Sequence, residues 1–245
     1  MSSQPFLEEG YSRKDGQWKL TANHLLLGVT PEEVDWWWDN INSTERYKLW
    51  HPTDHISFEW LISPKQQGHI GSLQRVREYL NGFLPGHPSE LVIRWEDPKG
   101  AEAQYAHVLL ATGNDQDTQV KARLMHEYEP LHDGSGTRMR SHFWFPGNAP
   151  EVMVASLYQH NRQEMAYLAT FLPWLHRAEV EMPRSGAYFA KGNDSIIYEE
   201  IADSSGGLHP QYLLKTSEGN VHSGDIVTLV QSQSLDMAQW SWVSA

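Results

Sequence analysis

The stretch NAPEVMVASLYQHNRQEMAYLATFLPWLHRAEVE, residues 148–181, decides how the rest of the chain is read. Asn148 can cap a helix, Pro150 suits its first turn, and Met153, Leu157, His160, Glu164, Leu168 and Phe171 recur at helical spacing on one face. The spacing predicts one long helix over about residues 150–180, with Pro173 kinking or ending it. A helix with so long an apolar stripe needs a broad surface to cover it, and the residues before it supply one.

Between residues 55 and 145 the pattern changes to a period of two. HISFEWLI and LQRVREYL alternate, ELVIRWED and QYAHVLLA are β-rich runs bounded by Gly and Pro, and DGSG turns the chain into TRMRSHFWF. In TQVKARLMHEY, Val120, Ala122, Leu124, His126 and Tyr128 fall on one face, with Lys121, Arg123, Met125 and Glu127 on the other. Six antiparallel strands are expected. Upstream, TPEEVDWWWDN carries Thr30 as cap, Pro31 at the first helical position and Glu32 and Glu33 in the first turn, which predicts a short helix to about residue 42. A short helix, a run of antiparallel strands and a long C-terminal helix describe an α+β helix-grip domain, a curved sheet wrapped around the helix with an internal cavity. The expected organisation is an N-terminal extension over 1–22, the helix-grip catalytic domain over 23–182, and a Gly/Ser-rich tail over 183–245 serving as a lid or partner-contacting arm.

Composition narrows the chemistry. The net charge of −12 excludes nucleic acid and anionic membrane as principal partners, because both require a basic footprint. No run approaches the roughly 18 apolar residues of a membrane span, and MSSQPFLEEGYSRKDG does not read as a secretory signal, so a cytoplasmic protein is expected. Cysteine is absent, which removes thiolate chemistry and leaves any metal to His and carboxylate. The 13 histidines and 11 tryptophans suit a site that grips a flat apolar molecule near a metal.

Individual residues sharpen this. His160 and Glu164, four apart on the long helix, can reach one ion or simply hydrogen-bond each other. His55 and Glu59 have the same spacing on a strand, where it separates side chains by roughly 13 Å, so Glu59 is read as surface. Glu78 lies in line with Val76 and Leu80, an unusual place for a lone carboxylate. His126 shares a face with Val120, Ala122 and Leu124, as a hydrogen-bonded core histidine or an active one. His142 is expected outside the barrel, and His51, before Pro52, is expected to orient a turn. No nucleophile elbow, P-loop or dinucleotide fingerprint occurs.

Together, WWWDN…RYKLWHPTDH (36–55), VREYLNG (76–82), RMRSHFWF (138–145) and HNRQE (160–164) resemble the 2,4-diacetylphloroglucinol hydrolase family over roughly residues 24–180. The resemblance implies a helix-grip fold of the START and pollen-allergen kind, and a zinc ion held by His55, Glu78, His160 and Glu164. It further implies that Tyr47 contacts a phenolic hydroxyl and that a histidine stands near the reacting carbonyl. His126 is read as that catalytic histidine because its strand face points inward, and Trp37 and Trp50 are expected to wall the substrate cavity. Phe58 stands where the family can present a polar substrate contact, so a different aromatic polyketide is expected to bind. The activity implied is zinc-dependent, retro-Claisen cleavage of the bond between an acyl group and a phenolic ring in secondary metabolism. A cyclase or isomerase of polyketide intermediates and a carrier of hydrophobic ligands are the alternatives. The expected partner is a small aromatic or polyketide substrate, and a homodimer is the assembly to test.

Overall fold

Thr30 caps the first helix through a reciprocal capping box: its hydroxyl accepts from the Glu33 amide at 3.2 Å, and the Glu33 carboxylate accepts from the Thr30 amide at 2.8 Å. From this anchor the computed structural model, which describes residues 9–65, 69–80, 83 and 85–245, can be followed in both directions. Residues 1–8 of the expected extension and the Asn81–Gly82 end of VREYLNG lie outside the described residues. By contact density the chain divides into two units, residues 1–169 and 170–245.

The first unit contains β1 (Gly10–Lys14), β2 (Gln17–Leu27), α1 (Pro31–Asn40), α2 (Thr44–Trp50), β3 (His55–Ile62), β4 (Leu73–Glu78), β5 (Ser89–Glu96), β6 (His107–Asp115), β7 (Lys121–Pro130), β8 (Gly136–Pro146) and most of α3 (Glu151–His176). The strands form one antiparallel sheet in the order β1-β2-β8-β7-β6-β5-β4-β3. A large antiparallel sheet with a long helix after it is the helix-grip architecture. Met153, Leu157, His160 and Glu164 of α3 line a cavity together with residues of the sheet.

The six strands expected between residues 55 and 145 are β3 to β8; among the described residues the sheet has eight, because β1 and most of β2 come from the segment expected as an extension. On β2 Trp18, Leu20 and Ala22 are buried while Gln17 and Lys19 are exposed, an alternation interrupted by buried Thr21. Such a half-buried strand near a sheet edge carries little composition signal. The stop expected at Pro173 is also displaced. The helix passes the proline, then widens into a π turn over Arg177–Glu181 before α4 (Met182–Ser185).

Residues 183–245, expected as a tail with a few short strands, make up most of the second unit. β9 (Tyr188–Lys191), β10 (Asp194–Ala202), β11 (Leu208–Thr216), β12 (Gly219–Ser223) and β13 (Ser241–Val243) form an antiparallel sheet in the order β12-β11-β10-β9-β13, with α5 (Ile226–Ser232) following β12. Phe189, Ile196, Tyr212, Leu214, Ile226 and Leu229 are buried. The Gly/Ser-rich DSSGG is the β10–β11 turn, organised by Asp203, whose carboxylate accepts from the Ser205 and Gly207 amides.

Candidate metal centre and its cavity

His55 and Glu78 stand opposite each other in the β3–β4 ladder, which puts both side chains on one face of the sheet. On α3, His160 and Glu164 are one turn apart and face the same space. His55, His160 and Glu164 offer ligand atoms within 4.8 Å of one another, and Glu78 approaches both histidines. His55 Nε2 lies 3.8 Å from Glu78 Oε2 and 3.6 Å from Glu164 Oε2, and His160 Nε2 lies 3.8 Å from each of those carboxylate oxygens. All four residues are buried, and neither Nε2 has a hydrogen-bond partner among the described residues. Tetrahedral coordination at about 2.0–2.2 Å places ligand atoms about 3.3–3.6 Å apart, close to this spacing. Two carboxylates this deep cost several kcal/mol unless a cation offsets them. The donor set therefore fits a divalent metal ion.

Groups behind the cluster set the orientation of each member. His55 Nδ1 donates to the Tyr47 carbonyl at 2.8 Å, which leaves its Nε2 as a lone pair. The Tyr47 hydroxyl donates to Glu78 Oε2 at 2.5 Å. His160 Nδ1 donates to Asp54 Oδ2 at 3.2 Å, and Asn161 Nδ2 donates to Glu164 Oε1 at 2.8 Å. Asp54 also accounts for His51: its amide donates to His51 Nδ1 at 3.2 Å, and the His51 ring stacks on His160 with centroids 4.8 Å apart. His51 therefore orients a turn, as expected, but it is buried against the cluster, and His51, Asp54 and His160 form a second group able to approach one ion.

Electrostatics follow from burial and from this charge. Burial holds His55 down to about 3, so it is neutral. Burial pulls the same way on His160, but the carboxylates of Glu78, Asp54 and Glu164 outweigh it and lift this histidine to about 9. Burial raises Glu164 and pushes the Tyr47 phenol well above its usual range, the latter helped by the Glu78 charge.

The cavity beside the cluster is apolar, walled by Leu91, Ile93, Val120, Leu124, Phe143 and Phe145. Tyr47, Trp50 and His126 line it as well. Trp37 does not: it is fully buried and is not among the described lining residues. In a helix the neighbouring position points about 100° away, and it is Trp38 that packs edge-on against Trp50, Trp95 and His126. Phe58 packs against Tyr47 and Trp60 and is likewise not among the lining residues. Glu59 is exposed and pairs with Arg75 at 2.8 Å. His142 is on the outer face of β8, as expected, yet buried, donating to Glu127 at 3.0 Å. Sequence reasoning passed over Asp54, Asn161, His24 and Ser141. Asp54, Ser141 and Asn161 sit inside the quoted motifs, but His24 carries no local signal at all.

A sheet gripping a helix, with a polar cluster at the end of an apolar cavity, defines a helix-grip protein with a candidate metal centre. A family model described as the DAPG hydrolase PhiG domain matches residues 2–177, and the chain belongs to this family. Membership places it with hydrolases of polyketide metabolism. No curated protein matches the sequence. Among solved structures, the chain is similar to a protein from Chromobacterium violaceum at 14% identity and a TM-score of 0.45, covering 63% of this chain and 97% of that one. It is also similar to Ara h 8.0201 at 15% identity and a TM-score of 0.44, covering 64% and 98%. A third similarity is to the di-domain ARO/CYC StfQ from the steffimycin biosynthetic pathway, at 10% identity and a TM-score of 0.42, covering 80% and 69%. Among the described residues no helix is long and apolar enough to cross a membrane.

Proposed function

We propose that this protein is a zinc-dependent hydrolase that cleaves the carbon–carbon bond between an acyl group and a phenolic ring. One observation carries the reading: the unpartnered, buried Nε2 atoms of His55 and His160 each lie 3.6–3.8 Å from carboxylate oxygens of Glu78 and Glu164 at the wall of an aromatic-lined cavity. Family membership supports it. His55, Glu78, His160 and Glu164 would hold the metal. When bound, zinc supplies a Lewis acid that polarises a carbonyl and acidifies water.

In the overall reaction the acyl carbon gains the hydroxyl of water and becomes an acid. The ring carbon keeps the bonding pair and gains a proton. The apolar walls exclude bulk water and hold the ring flat. Tyr47 already donates its proton to Glu78, so its oxygen is left to accept a hydrogen bond from a ring hydroxyl. Trp50 flanks that position, edge-on to both Tyr47 and His55. His126, on the cavity wall, serves as a neutral hydrogen-bond donor in the reaction.

Elemental analysis of untagged protein, beside a His160→Ala/Glu164→Ala variant, tests the metal. About one zinc per chain is expected, lost in the variant. Incubation with 2,4-diacetylphloroglucinol and simpler acylphenols should then release carboxylic acid and the deacylated phenol in equal amounts. A metal-loaded protein that releases no acid from any acylphenol would overturn the assignment.

A further inference from the structure

His24, Ser141 and Asn161 form a continuous line of hydrogen bonds from the cavity to Glu164. His126 Nδ1 lies 2.8 Å from Ser141 Oγ, Ser141 Oγ lies 3.1 Å from His24 Nε2, and that same nitrogen lies 3.1 Å from Asn161 Oδ1. Asn161 Nδ2 then reaches Glu164 Oε1 at 2.8 Å. The line spans three adjacent strands and the helix. His126 of β7 is the register partner of Ser141 of β8, and His24 of β2 sits diagonally across, two positions from Ala22, which is Ser141's partner on the other side. Ser141 and Asn161 are fully buried.

The direction of every bond follows from donor chemistry. A carboxylate accepts, so Asn161 turns its amide NH₂ to Glu164 and its carbonyl to His24. That carbonyl only accepts, so His24 carries its proton on Nε2. Ser141 Oγ shares that one N–H in a bifurcated contact and cannot donate to it, so among the described residues the acceptor left for its own proton is His126 Nδ1. The reverse tautomer of His126 would leave a buried hydroxyl proton with no acceptor, at a cost of about 1–3 kcal/mol. With Nδ1 accepting, a neutral His126 holds its proton on Nε2, the ring nitrogen that is not turned to Ser141.

We propose that His24, Ser141 and Asn161 are positioning residues that hold His126 as an Nε2–H hydrogen-bond donor to the oxygen of the reacting carbonyl, and that tie this state to Glu164. The roles of the carbonyl and of Glu164 rest on the hydrolase reading above. Burial agrees, since it keeps His126 near 3 and His24 near 4, both neutral. A neutral imidazole so held polarises a carbonyl without first having to be protonated. No proton travels along the line; it sets a tautomer.

Long-range proton–nitrogen correlation spectra of histidine-labelled, full-length protein read that tautomer directly, with or without metal. The wild type is expected to show His126 as the Nε2–H form, and Ser141→Ala is expected to give a mixture. His24→Ala should lower kcat about 10-fold or more with KM and metal content held, and His24→Gln, which restores an amide donor, should recover part of the loss. An Nδ1–H signal for His126 in the wild type, or an Nε2–H form unchanged in Ser141→Ala, overturns the proposal. If Ser141→Ala does not fold, the wild-type spectrum and the two His24 variants decide. The expected tautomers in a protein that cleaves no acylphenol would support the line while removing the hydrolase reading.

Discussion

The Tyr47 phenol donates to Glu78 Oε2 at 2.5 Å while its ring lies flat on the His55 imidazole, with centroids 3.7 Å apart and planes 4° from parallel. One side chain thus orients two members of the cluster, one by a hydrogen bond and one by stacking. Its backbone carbonyl holds the His55 tautomer as well. Tyr47→Phe separates these roles, because it keeps the stack and removes the bond to Glu78. Zinc affinity should fall about 10- to 100-fold, measured by competition with a chelator, with the fold retained. An unchanged affinity would show that Glu78 needs no such partner.

On the proposed reading, metal binding and stability are linked through the same cluster. A ligand present at 100 times its dissociation constant stabilises the folded state by about 2.7 kcal/mol. Chelated protein is therefore expected to melt several degrees below zinc-loaded protein. Glu164→Gln should bind metal poorly, yet in the chelated state it should be at least as stable as the wild type. Burial already raises Glu164, so removing its charge relieves a cost. A large loss of stability in chelated Glu164→Gln would argue that the carboxylate is compensated without a metal.

Acid sensitivity follows from two histidines that stay neutral, buried His126 and half-buried His24. Burial holds His126 at about 3 and His24 at about 4, below the 6.5 of a free imidazole. Between those values and 6.5 the unfolded chain binds more protons than the folded one, so stability rises with pH across that window. Each contribution is fully present above 6.5 and is lost as pH falls toward 3–4. Denaturant titrations from pH 7 to pH 4 should show stability declining by roughly 3 kcal/mol per histidine over the full window. His126→Gln should decline less steeply, and a slope equal to that of the wild type would remove His126 from the account.

Away from the cavity, Glu127 supplies a control. Its buried carboxylate pairs with Arg140 at 2.9 Å and His142 at 3.0 Å, and accepts from the Gln104 and Tyr105 amides. Burial opposes its charge, but these partners hold it at about 2. Glu127→Ala leaves Arg140 buried and without that carboxylate, and should cost about 3–5 kcal/mol. Zinc content per folded molecule should not change, because none of these groups touches the cluster. Metal loss at full folding would contradict that separation.

Much of this protein is written locally in its sequence. The capping box at Thr30, the strand alternation of β7 and the apolar face of α3 are set by side chains within a few positions of one another. His160 and Glu164 share a helix face by spacing alone, and Glu78 stands out as a carboxylate in line with Val76 and Leu80. Other features depend on neighbours distant in the chain. His55 meets Glu78 through the β3–β4 register, and both meet α3 because an antiparallel sheet grips the helix. His126, Ser141, His24 and Asn161 join across up to 137 positions of sequence, since strands far apart in order are adjacent in the sheet. The structured segment over β1 and β2, the burial of His142 and the second sheet after α3 are likewise invisible to composition. Periodicity reports which face of an element is buried, whereas hydrogen-bond partners and ion sites depend on which elements meet.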